Sequence, residues 1–238
     1  MYNLENHGAF DSLKLINAIP EIVKDLFKEK NFQYDHFNKK INEFAEAVAE
    51  KLFPTNTKLY SVRKFASKEE FASKIKGDIF EIFVMFFLQY FEKIPNVLGI
   101  KEGTYTQISD EDDVGMDFYG IKYSSGQNER VFGQIKYRNP VLNIFEEHKA
   151  FNRDVINKLA GEATTSMDFD KNKEYLLFVT NREIDDSIHY KAKEKIGFVN
   201  GSTSSKYSYI KFVDATIFRN MLGYNEATFW NEFADQFK

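Results

Sequence analysis

Apolar residues recur at helical spacing over the first sixty positions of the chain. Leu13, Ile16, Ile19, Ile22, Val23 and Leu26 form one run, which Pro20 either breaks or reopens as the first turn of a second helix. A cleaner stripe follows over 35–53. Phe37, Ile41, Phe44, Ala45, Val48 and Leu52 fall on one helical face there, and Pro54 stops the run. These segments predict a helical extension over 1–60. Ser67 and Glu70 then have capping-box spacing, so a further helix should start there and reach about residue 91. Its second half, from Ile79 to Leu88, is apolar almost all round, as in a helix buried on most sides.

Past Pro95 the period drops to two. Strands are predicted over 103–108, 116–123 and 130–137, with turn chemistry at Ser124-Ser125-Gly126-Gln127-Asn128. A helix over 146–167, a buried strand over 175–180, a helix over 185–196 and a strand over 207–213 follow. Asp214 is placed to cap a short helix ending near Leu222, with Gly223 as its stop signal. A last helix carries Phe229, Trp230, Phe233 and Phe237. The order predicts an α/β sandwich, a mixed sheet with helices on both faces. In domain terms it predicts a core over 61–223, with the C-terminal helix of 224–238 packed on it.

Composition narrows the chemistry more than the function. The chain contains no cysteine, which removes disulfides, thiolate metal sites and cysteine nucleophiles and fits a reducing cytoplasm. The start, Met1 to Phe10, lacks a basic patch followed by an apolar run, so no signal peptide is expected. The most apolar stretch, 79–91, contains Glu81 and is too short to span a bilayer. A soluble, cytoplasmic protein without a membrane partner is therefore expected. The net charge of −4 gives no overall basic signal for nucleic acid, yet a local basic groove can coexist with it. The four histidines, at 7, 36, 148 and 189, lack metal-ligand spacing, and no Gly-rich phosphate loop is present.

Three fragments carry candidate chemistry. Glu81 sits between Phe80 and Ile82, and burying a carboxylate costs several kcal/mol unless it is paired or bound to a cation. Gly77 lies four residues earlier on the same face, where a close backbone approach would account for a mid-helix glycine. The competing reading puts Glu81 on a narrow polar strip with Lys74 and Asp78 that meets solvent. Asp117 ends the acidic run from Asp110, at the point where strand alternation begins, as either a metal ligand or an ordinary turn residue. In Gln134-Ile135-Lys136, residues two apart share a face, so Gln134 and Lys136 point together and Ile135 points away. That pair marks either a working face or the polar side of an exposed edge strand.

Taken in order, these fragments resemble the PD-(D/E)xK nuclease superfamily, the restriction-endonuclease-like fold. Its core has a helix with Glu, a strand beginning at Asp, and a strand with an acid-x-Lys on one face. Here those positions are Glu81, Asp117 and Gln134-Ile135-Lys136. The strand–helix pair over 175–196 also resembles the second half of Mrr-like type IV restriction domains. The departure is Gln134, which stands where the family usually has Glu or Asp; some members share this Gln-x-Lys variant. A neutral amide still offers an oxygen to a hard cation, with one negative charge fewer at the site.

The resemblance implies a Mg²⁺-dependent deoxyribonuclease, with Mn²⁺ able to substitute, leaving 5′-phosphate and 3′-hydroxyl ends. It implies that Asp117, Gln134 and the Ile135 carbonyl ligate the metal and that Glu81 holds one of its waters. Lys136 would position the attacking water and offset phosphate charge, since its charged form is favoured beside Asp117 and a phosphate. Arg138 and Asn139, just past that strand, are either phosphate contacts or ordinary surface residues. Lys149, Arg153 and Lys158 read as a solvated helix face. The partner implied is DNA; a homodimer follows by analogy alone. Because motor motifs are lacking, any translocation would come from a separate helicase. The alternative is a catalytically silent nucleic-acid-binding or assembly module that kept the fold.

Overall fold

The structure, a computed structural model, describes residues 33–53, 65–91, 103–107, 116–124, 127–138, 158, 161, 163–165, 168–170, 174–183, 210–223 and 226–235. The helices expected over 13–26 and 185–196 lie outside those residues, as do Asn139, Lys149, Arg153, Phe237 and the histidines other than His36, which is exposed. The chain divides into two compact units. One comprises Met1–Tyr90, Ser109–Glu111 and Phe218–Lys238; the other comprises Phe91–Ile108 and Asp112–Ile217.

The first unit is built on helices α1 (Tyr34–Leu52) and α2 (Lys68–Tyr90). The stripe predicted for α1 is buried at Phe37, Ile41, Phe44, Ala45 and Val48, joined by Tyr34 and Ala49. At the start of α2 the Glu70 N–H donates to Ser67 Oγ at 3.2 Å, as the capping box predicts. The return bond is shifted by one residue: the Ala66 N–H donates to Glu70 Oε2 at 2.8 Å. Glu69, in the same first turn, has its carboxyl pKa lowered by its own backbone N–H, then by the Ser67 hydroxyl and Lys68. The C-terminal half of α2 is buried at every position from Ile79 to Leu88 except Glu81, which is half-buried.

Two expectations for α2 need correction. The polar strip does not simply meet solvent: Asp78 is 1% exposed, and its Oδ1 accepts from Lys74 Nζ at 2.7 Å. The buried acid of this helix is thus Asp78, neutralised one turn away by a lysine that is itself largely covered. Nor does a close approach account for Gly77, since among the described residues a Cβ there would meet nothing within 4 Å. Without packing to justify it, this glycine only loosens the helix. Gly77→Ala should raise stability by about 0.5–1 kcal/mol, read as a higher urea midpoint at unchanged slope.

Helices α3 (Ala215–Leu222) and α4 (Glu226–Asp235) close the chain, and residues of α3 from Phe218 onward belong to the first unit. The predicted cap is in place, with the Ile217 N–H donating to Asp214 Oδ1 at 3.1 Å. The stop signal is too, with the Gly223 N–H donating to the Arg219 carbonyl at 3.0 Å. Phe218, Phe229, Trp230 and Phe233 gather with Tyr34, Phe37, Phe80 and Phe87 around the ring of Phe83.

The second unit carries a five-stranded mixed sheet in the order β1-β2-β3-β4-β5. The strands are β1 (Gly103–Gln107), β2 (Phe118–Ser124), β3 (Gln127–Lys136), β4 (Tyr175–Thr180) and β5 (Ile210–Val213). β1, β2 and β3 pair antiparallel, and β3, β4 and β5 pair parallel. The predicted turn falls where the β2–β3 ladder ends, with Ser124 opposite Gln127. Lys158, Gly161 and Ala163 to Thr165 are helical, within the segment predicted to link β3 to β4. Parallel neighbours require such a crossover. The mixed α/β class expected from the pattern is what the chain adopts.

One cross-strand pair is sterically demanding. Phe118 stands opposite Gly133 in the ladder, and its ring occupies the space a Gly133 Cβ would need. Both residues are fully or nearly fully buried, so the ring has little room to retreat. Gly133→Ala should therefore cost about 1–3 kcal/mol as an overpacked core. In a Phe118→Leu background the added loss should be smaller, which a double-mutant cycle on urea midpoints would measure.

Candidate functional site

β3 is a central strand, paired on both sides, so the edge-strand reading of Gln134 and Lys136 does not hold. Alternation places Phe132, Gln134 and Lys136 on one face. Phe132 is fully buried and meets Phe169 edge-on with ring centroids 5.5 Å apart. Two positions on, the same face turns polar. Gln134 and Lys136 are half-buried and stand level with Phe178 and Thr180 of β4. Ile135, 3% exposed, packs on the opposite side as predicted.

The register that sets this face is clamped at the other end of the strands. Arg130 donates from Nε to Glu174 Oε1 at 2.5 Å and from Nη2 to Glu174 Oε2 at 3.1 Å. Its Nη2 also donates to the Asp168 carbonyl at 2.5 Å, and its guanidinium lies 5.3 Å from the Phe132 ring centre. Asp168 has φ 55°, a left-handed conformation that Asp tolerates better than most residues. Glu174 Oε2 further accepts from the Asp170 N–H at 2.7 Å. A buried carboxylate with this many donors fixes where β4 begins relative to β3.

Asp117 directly precedes β2, as expected. Its N–H donates to the Gly133 carbonyl at 2.9 Å, and its carboxylate Oδ2 accepts the N–H of Ile135. The acid is thus joined to the middle residue of Gln134-Ile135-Lys136. This bond also gives Asp117 a structural task, because it satisfies a main-chain donor where the ladder stops.

Gln134 adds a second observation. Its Oε1 is buried and accepts no hydrogen bond, although other atoms of the residue are engaged. A buried amide oxygen left in this state costs about 1–3 kcal/mol unless something else satisfies it. No group of three His, Cys, Asp or Glu suited to a metal ion occurs among the described residues. Asp117, Gln134 and Ile135 nevertheless carry side-chain and main-chain oxygens, with a single negative charge among them. Hard cations such as Mg²⁺ take oxygen donors of this kind and keep several waters. No family model, curated protein or solved structure matches the chain.

The remaining candidates divide between the units. Glu81 lies on α2 in the first unit, whereas Asp117, Gln134, Ile135 and Lys136 belong to the second. Arg138 follows β3 and is half-buried; Lys158 is exposed. One participant was missed by the sequence reading. Asn181, 1% exposed, accepts the Arg138 N–H on Oδ1 at 2.6 Å and donates from Nδ2 to the Arg138 carbonyl at 2.9 Å. Its only sequence signal was its place, immediately after an apolar strand that ends in Thr180. No helix among the described residues is long and apolar enough to cross a membrane.

Proposed function

We propose that the chain is a metal-dependent DNA endonuclease of the PD-(D/E)xK type, with its site at the Asp117 end of β2 and β3. The observation that carries this reading is the bond from the Ile135 N–H to Asp117, which joins the acid to the Gln-x-Lys segment. The buried, unsatisfied Gln134 oxygen supports a cation there. The order of strands, three antiparallel followed by a parallel fourth on the Lys136 strand, agrees with a restriction-endonuclease-like core. Glu81 belongs to the other unit, and the reading rests on the second unit's residues.

Asp117, Gln134 Oε1 and the Ile135 carbonyl would hold Mg²⁺, or Mn²⁺ in its place. When bound, such an ion offsets the charge growing on the scissile phosphate and acidifies a bound water. The ammonium of Lys136, on the same face as Gln134, donates to the attacking water and to a phosphate oxygen, which orients the first and screens the second. The water oxygen bonds to phosphorus and gives up a proton to solvent, the bond from phosphorus to O3′ breaks, and O3′ takes up a proton from solvent. The products carry 5′-phosphate and 3′-hydroxyl ends.

The test is a cleavage panel of methylated, unmethylated, branched and single-stranded DNA with Mg²⁺, Mn²⁺ or EDTA. Cleavage in at least one metal arm, abolished by EDTA, is the expected result; intact DNA in every arm overturns the reading. One observation favours a second reading, a silent nucleic-acid-binding or assembly module. Asp117 already has a main-chain donor to satisfy, and the neighbouring Gln134 carries no charge. Binding without cleavage in the same panel would select that module.

A further inference from the structure

The parallel register pairs Lys136 with Thr180. Two residues further along comes Arg138, on the face that Gln134 and Lys136 share, while the other chain bends at Asn181 and Arg182 just past β4. The two chains remain together at that point, because the buried Asn181 amide holds both the N–H and the carbonyl of Arg138. Such an amide copies the peptide group of a neighbouring strand, and it extends β3–β4 pairing beyond the strands themselves. Arg182 is fixed as well. Its carbonyl accepts the Ala215 N–H at 3.1 Å, and its own N–H donates to Thr180 Oγ1 at 3.4 Å. Three neighbouring strand ends are thus tied together by hydrogen bonds, with half-buried arginines at two of them, and Arg138 donates from Nη1 to the Tyr137 carbonyl at 3.4 Å. The carboxyl ends of parallel strands are where open α/β sheets place their ligands.

We propose that Arg138 and Arg182 form a phosphate-binding pair for the DNA backbone beside the Lys136 site, with Asn181 as the residue that positions them. This rests on the nuclease reading and adds the strand-tracking contacts it needs. Guanidinium is suited to the task because its planar donors match a phosphate in a two-pronged fashion. A fixed main chain lowers the ordering cost of each contact. The chain's net charge of −4 makes local cations the source of any backbone affinity.

The experiment measures duplex DNA affinity by fluorescence anisotropy, with full-length protein in Ca²⁺, across a salt series. Arg138→Ala and Arg182→Ala should each reduce the slope of log affinity against log salt by about 0.9, close to eightfold per decade of salt. Arg182→Lys should keep the slope, because the charge remains. Asn181→Ala should weaken binding in the wild-type background but not in the Arg138→Ala/Arg182→Ala background, whereas a merely structural loss would weaken both equally. Should Asn181→Ala fail to fold, the two arginine variants still decide. Wild-type binding with slopes unmoved by either arginine overturns the pair and leaves the nuclease reading standing. Wild-type protein that neither binds nor cleaves overturns both.

Discussion

Asp117→Asn should reduce metal-dependent cleavage by about 10²–10³-fold, the size seen when one group aimed at developing charge is removed, while leaving the melting temperature near that of the wild type. The separation follows from the two tasks of this side chain. Its oxygen satisfies the Ile135 N–H, a task that an asparagine carbonyl oxygen can also perform. Its charge strengthens that bond without being required for it, and is the one negative charge of the proposed donor set. Asp117→Ala should lose both, adding a cost of about 1–3 kcal/mol for a main-chain donor left without its acceptor. Lys136→Ala should match Asp117→Asn in rate, with little effect on stability, because a half-buried lysine contributes little to the core. Cleavage assays beside thermal melts test all three. Wild-type rates in Asp117→Asn would make its carboxylate a strand-end cap and nothing more.

How far the fold could be read from the sequence follows the range of the interactions involved. Strand β4 was delimited to the residue, because an apolar run between polar flanks has one interpretation at that length. The Ser67 and Asp214 caps were legible for the same reason: each is settled within four residues. At the site, alternation alone put Gln134 and Lys136 on one face. The meeting of Asp117 with Ile135 could only be suggested by order along the chain, since eighteen residues separate them.

What escaped depends on partners remote in sequence. Nothing in the strand pattern marks Gly133, and only the ladder sets Phe118 across from it. Asn181 carries no signal in the sequence beyond its place after β4, although its amide holds a backbone forty-three residues away. In α2, periodicity named Glu81 as the costly acid, but Asp78 is the one taken out of water. A helical wheel shows which residues are neighbours and does not show which neighbour the rest of the protein covers. Gly77 was given a packing reason that the described residues do not supply.

The largest stability effect is expected at Phe83. Its ring is fully buried, with centroid distances of 4.4 Å to Phe37, 5.2 Å to Phe218, 5.6 Å to Trp230 and 5.8 Å to both Tyr34 and Phe229. Phe80, Phe87 and Phe233 complete the shell at 5.9, 6.0 and 6.0 Å. These rings come from all four described helices α1 to α4, so truncation opens a cavity that no single side chain can close by changing rotamer. Phe83→Ala should therefore cost about 3–5 kcal/mol, which for a chain of this size lowers the melting temperature by roughly 6–20 °C. Phe83→Leu should cost markedly less, because most of the volume stays filled. The chain has a single tryptophan, and Trp230 stacks on Phe83 with an interplanar angle of 18°. Its fluorescence therefore reports on this cluster directly. Unfolding followed at Trp230 should shift to lower urea in Phe83→Ala, and a midpoint unchanged from wild type would mean that this ring is not the centre of the first unit's core.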